Sequence, residues 1–398
     1  MARLALAGLP RDLNGEGGCA LADYCIFGMA FRLSMNITFS PGDRNDSFGY
    51  HFIVGLSSLT LSEEDKQVLG RIKPSGIILF ARNFDASLPY AEWLGKLHAL
   101  IEEAKAYAER DRLIVSIDHE GGRVHRPPSP ITRFPAAAKY ASQAEAVGRA
   151  MGEELRSLGV NIDWAPVCDI NSNPDNPVIG DRSLGAVAAQ VKDSALAFMQ
   201  GLAAFQVASC AKHFPGHGDT EKDSHLELPC LRLSEHQLLK RELVPFRAMV
   251  EAGIPLVMTA HILFPKIDPD CPATLSKQIL DRILRRRLGF DGVVVSDDLD
   301  MKAVAEGFKK SEAIGQALSA GCDMFIVARN PDTGAEKALG LAAAVAQCLV
   351  QGRLSEDLLY GSFLRIRKLV DEKLCYHDPQ RLPVDVFERH AELLKQVL

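Results

Sequence analysis

The sequence predicts an α/β fold, a single (β/α)8 TIM barrel with C-terminal helices packed outside it. From His51 onward, short β-branched runs alternate with longer stretches of helical periodicity, and the strand–helix unit occurs eight times. A doubly wound sheet would show the same alternation. Against that alternative, no G-x-G-x-x-G follows the first strand and no G-x-x-x-x-G-K-[ST] occurs anywhere in the chain.

Each predicted strand is a short run rich in Val and Ile, and each predicted helix follows one. The strands are predicted at 51–56, 76–80, 112–117, 160–165, 207–213, 255–260, 292–297 and 324–328. The helices are predicted at 60–70, 90–109, 144–159, 186–205, 234–253, 276–289, 311–321 and 336–352, with outer helices at 354–372 and 385–397. Thr60 or Ser62 is expected to cap the first helix and Gly70 to end it.

The chain is expected to contain one catalytic domain with an extension at each end. Residues 48–375 are assigned to the (β/α)8 domain and 376–398 to a C-terminal helical tail. Residues 1–47 share none of the barrel pattern. We interpret them as an N-terminal extension, either disordered or preceding a true start at Met35.

Composition limits the partners that this chain is expected to have. The formal net charge is -6 with both signs interspersed, so no basic surface is predicted and nucleic acid is not an expected partner. The sequence lacks a run of the ~20 apolar residues needed to cross a bilayer, and no membrane partner is expected. Nine cysteines with no C-x-x-C pair indicate reduced thiols and a cytoplasmic location.

Polar residues follow several of the predicted strands at their carboxyl ends. Residues 118–123 follow the third strand, Lys212 and His213 end the fifth, His261 ends the sixth, and 296–298 end the seventh. In a barrel these ends meet at one mouth, where the loops build the active site. Helix capping explains a single acid at such a place, but it does not explain a lysine and several histidines together.

The segment 211–229, AKHFPGHGDTEKDSHLELP, suggests three chemistries. A metal site is suggested by His213 and His217, which are four residues apart, but Pro215 opposes a helix there and no H-E-x-x-H is present. Phosphate binding is suggested by Lys212 beside glycines, without a following helix. Proton transfer is suggested by Asp223 and His225, whose spacing puts both on one side of an extended chain.

A metal-dependent barrel hydrolase would also be expected to have H-x-H after the first strand and an acid after the last. The chain has Leu-Ser-Ser at 56–58 and Arg-Asn at 329–330 instead. No metal and no other cofactor are therefore predicted. An amidohydrolase that binds a metal through His213 and His261 remains an alternative.

Four motifs, in order, resemble family 3 glycoside hydrolases of the β-N-acetylhexosaminidase branch. They are IDHEGGRVHR at 117–126, GDRSLG at 180–185, KHFPGHGDT with DSH at 212–225, and VSDDL at 295–299. The resemblance covers about residues 51–375, and it departs from the family at His119, where glutamine is more common.

The resemblance implies a retaining hydrolase that releases non-reducing terminal β-linked N-acetylglucosamine, as bacterial enzymes of peptidoglycan recycling do. By position, Asp297 would be the nucleophile, His225 the general acid/base and Asp223 its partner. The residues expected to bind the sugar are Asp118, Arg126, Arg182, Lys212 and His213. The expected partner is a small carbohydrate, a muropeptide or chitooligosaccharide, and the expected state is a monomer or weak homodimer.

Two points of mechanism remain open in the sequence. Asp297 and Asp298 form an adjacent acid pair of the kind that can assist an attack by the 2-acetamido oxygen, although strand neighbours face opposite ways. A phosphorylase is a second alternative, because a histidine acid/base repels an incoming phosphate less than a glutamate does. The glycines of the loop 214–227 favour closure of that loop over bound sugar.

Overall fold

The structure is a computed structural model that describes residues 48–220, 228–299, 301, 312–329 and 334–398. Its barrel strands are β1 Phe52–Gly55, β2 Gly76–Leu79, β3 Ile114–Ile117, β4 Ile162–Asp163, β5 Ala208–Phe214, β6 Leu256–Thr259, β9 Val293–Ser296 and β10 Phe325–Val327. They pair in parallel in the order β10-β1-β2-β3-β4-β5-β6-β9. A parallel bridge between Val295 and Met324 joins β9 to β10 and closes the circle. The predicted barrel is confirmed.

Successive residues of each strand pack on opposite sides of the sheet, as strand geometry requires. On β1, Ile53 belongs to the apolar cluster inside the barrel, while Phe52 and Val54 belong to the larger cluster beneath the helices. The inner cluster is filled from all eight strands, among others by Ile78, Ile114, Ile162, Cys210, Met258, Val295 and Ile326. The interior is therefore a packed core, and only the ends of the barrel can hold a site.

Helices follow the strands around the outside. The α-helices are Glu63–Ile72, Tyr90–Ala108, Ala137–Tyr140, Ala144–Ser157, Ala188–Ala203, Glu235–Lys240, Leu243–Glu251, Glu312–Ala320, Gly334–Val350, Glu356–Lys368 and Val384–Val397. Gln278–Arg287 and Leu369–Lys373 are π-helical, and single 3-10 turns lie at Ala81–Asn83, Ala141–Gln143, Gly180–Arg182 and Ala273–Leu275.

Two sequence-based predictions about the helices were wrong in detail. The first helix is capped by Ser62, whose Oγ accepts the Asp65 N–H at 3.1 Å, but it passes through Gly70 and ends at Ile72. Glycine lowers helix propensity by about 1 kcal/mol without forbidding the helix, and here Lys73 supplies the left-handed cap at φ 51°. The predicted helix 234–253 is two helices, because Arg241 has a non-helical backbone.

A short antiparallel pair, β7 Leu263–Phe264 with β8 Asp268–Pro272, was not predicted. It lies between β6 and β9, outside the barrel sheet. Two-residue strands and the sequence DPDCP carry almost no apolar alternation, so local pattern does not reveal them.

The amino-terminal end of the barrel is closed by the helix Glu356–Lys368. Ile366 joins the apolar cluster inside the barrel, and Arg365 donates from Nη2 to Asp323 at 2.7 Å. Asp323, at the start of β10, is fully buried and also accepts the Val294 N–H at 2.8 Å. This end is therefore filled by structural contacts.

The predicted C-terminal tail, residues 376–398, lies against the barrel helices. His390 contacts Glu154 of the helix Ala144–Ser157 at 2.8 Å between Nδ1 and Oε1. Within the part of the chain that the structure describes, no helix has the length and apolar character to cross a membrane.

Candidate active site

A polar cleft of about 350 Å³ opens at the carboxyl ends of the barrel strands. It is the place where the loops after β3, β4, β5 and β9 converge, as barrel geometry predicts. The residues that line it are Asp118, Glu120, Arg123, Val124, Arg126, Pro177, Val178, Arg182, Lys212, His213, His217 and Asp297. Six of the eight residues predicted for the site are among them.

Glu120 lies at the centre of a buried charge network in this cleft. Arg182 donates to both of its carboxylate oxygens at 2.8 Å, and Lys212 Nζ lies 2.6 Å from Oε1. Lys212 also donates to Asp118 Oδ1 at 2.9 Å. Because bidentate and charge-assisted contacts fix both partners, the ends of these side chains have defined positions before any ligand binds.

Burial and charge oppose each other in this network. Burial alone would raise the pKa of Glu120, but Arg182 and Lys212 hold it well below its ordinary value. Burial alone would lower the pKa of Lys212, but Asp118 and Glu120 raise it above its ordinary value. Both groups are therefore charged at neutral pH, and the cleft presents fixed donors and acceptors of the kind that sugar hydroxyls need.

Arg126 and Asp118 form the outer part of the same wall. Their closest atoms, Nη2 and Oδ2, are 3.8 Å apart, so the pair is looser than the Glu120 network. The guanidinium of Arg126 lies 5.7 Å from the ring centre of Phe80, at the end of β2. Arg126 thus stays within reach of the cleft without a short bond to any one carboxylate.

His213 is held from behind by Asp169, a fully buried acid in the loop after β4. The His213 Nδ1 lies 2.6 Å from Asp169 Oδ2. Burial would raise the pKa of Asp169, but His213 and His217 keep it below its ordinary value, so this carboxylate only accepts hydrogen bonds. The peptide bond between Lys212 and His213 is cis, as is that between Phe214 and Pro215.

Asp297 follows β9 and is partly exposed to the cleft. Burial favours its neutral form, but His213, His261, the Asp298 N–H and Lys212 together hold its pKa below the ordinary value. Asp298 faces elsewhere, and its Oδ1 accepts the Ala328 N–H at 3.0 Å. One ionised carboxylate of this adjacent pair therefore lines the cleft.

The loop after β5 is anchored up to Thr220 by the loop after β4. Asn176 donates from Nδ2 to the His217 carbonyl at 2.8 Å and to Thr220 Oγ1 at 3.0 Å. Gly218 is required because a Cβ there would lie 1.7 Å from the Ile170 carbonyl oxygen. Asp223 and His225, predicted as the proton-transfer pair, lie outside the described residues.

Sequence reasoning missed two residues that build this cleft, Glu120 and Asp169, and it named His217 as a candidate metal ligand rather than as part of a sugar site. Glu120 stood inside a quoted motif but was not counted among the sugar-binding residues. Asp169 follows β4 at the same end as the others, so the strand-end rule would have identified it. The role of His217 depends on the fold of its loop, where Nδ1 lies 2.9 Å from Thr220 Oγ1.

A group of acids and a histidine that lie close enough to share a cation occurs outside the cleft. Among the residues that the structure describes, one such group was found, consisting of His98, Glu102 and Asp378 on the surface. Lys105 Nζ lies 2.6 Å from Glu102 and 3.6 Å from Asp378, so a cation of the protein already contacts both acids.

A barrel with ionised acids, fixed cations and imidazoles around a small polar cleft belongs to the class of (β/α)8 enzymes that act on small polar molecules. The model of the glycosyl hydrolase family 3 N-terminal domain matches residues 51–369. A curated β-hexosaminidase of Methylococcus capsulatus is 37% identical over 335 residues, which cover 80% of this chain and 97% of that protein.

Solved structures agree with this. A family 3 β-N-acetylglucosaminidase from Paenibacillus sp. str. FPU-7 is 34% identical with a TM-score of 0.78, covering 89% of this chain and 68% of that one. NagZ from Neisseria gonorrhoeae, in complex with N-trifluoroacetyl-D-glucosamine, is 32% identical with a TM-score of 0.69, covering 87% and 97%.

The chain belongs to glycosyl hydrolase family 3. Within that family its similarity is to β-N-acetylhexosaminidases, so the protein is a glycosidase of this type. Because the chain belongs to a glycosidase family, the alternative of a metal-dependent amidohydrolase is wrong.

Proposed function

We infer that the protein releases non-reducing terminal β-linked N-acetylglucosamine from cell-wall muropeptides or related glycans, with retention, through a covalent glycosyl-aspartate. The observation that carries this proposal is that Asp297 lines the same cleft as the five residues expected to bind the sugar. An ionised carboxylate facing a set of fixed hydroxyl-binding groups is the arrangement that nucleophilic attack on an anomeric carbon needs.

In the proposed first step, Asp297 attacks the anomeric carbon while the bond to the leaving oxygen breaks. His225 gives its proton to that oxygen, and Asp223 orients the imidazole. In the second step, neutral His225 takes a proton from water as the water attacks the same carbon, and the Asp297 carboxylate leaves. The two inversions give net retention, and the imidazole ends in its starting form.

The position of Asp298 favours this route over attack by the 2-acetamido oxygen. The latter uses two acids around one acetamide group, but Asp298 Oδ1 accepts the Ala328 N–H instead. The substrate class is supported by curated relatives that are named β-hexosaminidases. The match to one of them spans 97% of that protein. A cytoplasmic location is supported by the described cysteines, all of which are free thiols.

One assay series tests the proposal. We expect release of nitrophenol from an aryl β-N-acetylglucosaminide but not from the aryl β-glucoside, with Asp297→Ala and His225→Ala each reducing kcat by at least about 1,000-fold. Incubation with a fluorinated N-acetylglucosaminyl donor should leave a sugar adduct on the peptide that contains Asp297. An adduct elsewhere, or none, would contradict the covalent route, and sugar 1-phosphate formed in phosphate buffer would identify a phosphorylase.

A further inference from the structure

Asp169, in the loop after β4, contacts two histidines that line the cleft, His213 and His217. The side chain is fully buried. Its Oδ2 lies 2.6 Å from His213 Nδ1, both oxygens accept the His213 N–H at 3.2 Å, and Oδ1 accepts the His217 N–H at 2.7 Å. One carboxylate therefore holds both the backbone and the ring of His213.

Asp169 is itself held in place from the opposite side. Ser183 donates from Oγ to the Asp169 carbonyl oxygen at 2.7 Å, and the same hydroxyl accepts the Gly185 N–H at 3.1 Å. The Ser183 contact fixes the backbone of Asp169, and the carboxylate extends from that fixed backbone to the His213 imidazole. With Nδ1 bound to Asp169, the opposite ring edge is the one left to the cleft that His213 shares with Asp297.

We propose that Asp169 is a positioning residue that fixes the orientation of the His213 imidazole in the cleft that it shares with Asp297. The proposal rests on the function inferred above, in which Asp297 attacks the sugar. Burial opposes the ionisation of Asp297, and the His213 imidazole is the foremost of the neighbouring groups that hold the pKa of Asp297 below its ordinary value.

The other titratable groups around Asp297 have partners other than the Asp169 carboxylate at their side chains. Lys212 donates to Asp118, and His261 Nδ1 lies 2.8 Å from Thr274 Oγ1. His217, whose ring lies 5.9 Å from that of His213, has Nδ1 beside Thr220. Burial lowers its pKa to about 4, so it is neutral at pH 7. Of these groups, His213 is the one whose ring contacts the Asp169 carboxylate. Any effect of Asp169 on the ionisation of Asp297 is therefore expected to depend on His213.

Asp169→Asn tests this directly, since asparagine keeps the shape and one acceptor oxygen but removes the charge. We expect the acidic limb of the kcat/KM pH profile, which reports Asp297 in the free enzyme, to move up by about one pH unit. Well below that limb, activity should fall about tenfold further than in the native protein. An unchanged acidic limb in a folded variant would overturn the proposal.

Asn176→Ala is the matched control for a loss of loop structure. Asn176 donates to the His217 carbonyl and Thr220 Oγ1 of the same loop but does not contact the His213 ring. We expect a lower kcat for this variant and an acidic limb at the native pH. A shift equal to that of Asp169→Asn would show that loop order alone is responsible, and the proposal would be wrong.

His213→Gln gives a second test that does not depend on the folding of the Asp169 variant. If Asp169 acts through the imidazole, this variant alone should raise the acidic limb, and adding Asp169→Asn to it should raise the limb no further. A full additional shift in the double variant would contradict the proposal. An error in the proposed function would be distinguishable from an error in this proposal, because it would appear as retained activity in Asp297→Ala.

Discussion

Arg182 donates to both oxygens of Glu120 at 2.8 Å, across the loops that follow β4 and β3. Lys212, from β5, contacts the same carboxylate at 2.6 Å. Three strands of the barrel thus contribute to one buried ionic contact, and two of its members are residues expected to bind the sugar. Glu120 is 3% exposed, so its charge is balanced by these cations rather than by water.

Glu120→Gln is therefore expected to reduce kcat/KM for an aryl β-N-acetylglucosaminide about a hundredfold. The amide cannot balance two cations, so Arg182 and Lys212 would lose the contact that fixes their positions in the cleft, and a displacement of about 1 Å in a site can cost about a hundredfold in rate. Glu388→Gln, which changes an exposed acid on the C-terminal helix, is the control and should leave kcat/KM unchanged. Equal losses in both variants, or none in either, would contradict the role given to Glu120.

Gly218→Ala is expected to detach the loop after β5 from the loop after β4. The new Cβ would lie 1.7 Å from a backbone oxygen of Ile170, which cannot move aside by changing a rotamer. We expect a fall in Tm and a loss of activity. Gly95→Ala is the control, because a Cβ at Gly95 meets nothing within 4 Å on a helix, and alanine should raise stability by up to about 1 kcal/mol.

Glu242 is expected to make stability fall as the pH rises from about 4.5 to about 7. It is buried beside Gly216, and burial raises its pKa from 4.5 to about 7 despite its contact with Arg241. A raised pKa in the folded state gives stability that is complete below the unfolded pKa and is lost as pH rises through the folded pKa. From pH 5 to 8 the native protein should therefore lose Tm relative to Glu242→Gln, corresponding to up to about 3 kcal/mol. A constant difference in Tm across this range would contradict the assignment.

His217 is expected to make the stability of the protein fall as the pH decreases, which is the opposite dependence to that of Glu242. Burial lowers its pKa from 6.5 to about 4, so the folded protein binds its proton less readily than the unfolded chain. The resulting stability is present above pH 6.5 and is lost as pH falls through about 4. Between pH 7 and 4.5, His217→Gln should lose less Tm than the native protein. His51 and His125, whose pKa values are also lowered to about 4 by burial, are present in both proteins and so do not affect the comparison.

The loop residues Asp223 and His225 and the N-terminal segment 1–47 stay predictions, since they lie outside the described residues. Asp118, Arg126, Arg182, Lys212, His213 and Asp297 were predicted from the resemblance to family 3 motifs, and the structure brings these six to one cleft. Their catalytic and sugar-binding roles are the proposals that the experiments above test.

The sequence by itself determined eight repeated strand–helix units, because eight apolar strands buried on both faces leave a local signal that repeats along the chain. It also determined the chemical types at the strand ends, since those types follow directly from residue identity and position. Only the tertiary structure decided that Glu120 joins Arg182 to Lys212, that Asp169 holds His213, and that Asp297 rather than Asp298 lines the cleft. These contacts join residues far apart in the chain, and their existence depends on distances of a few ångströms that no local pattern encodes.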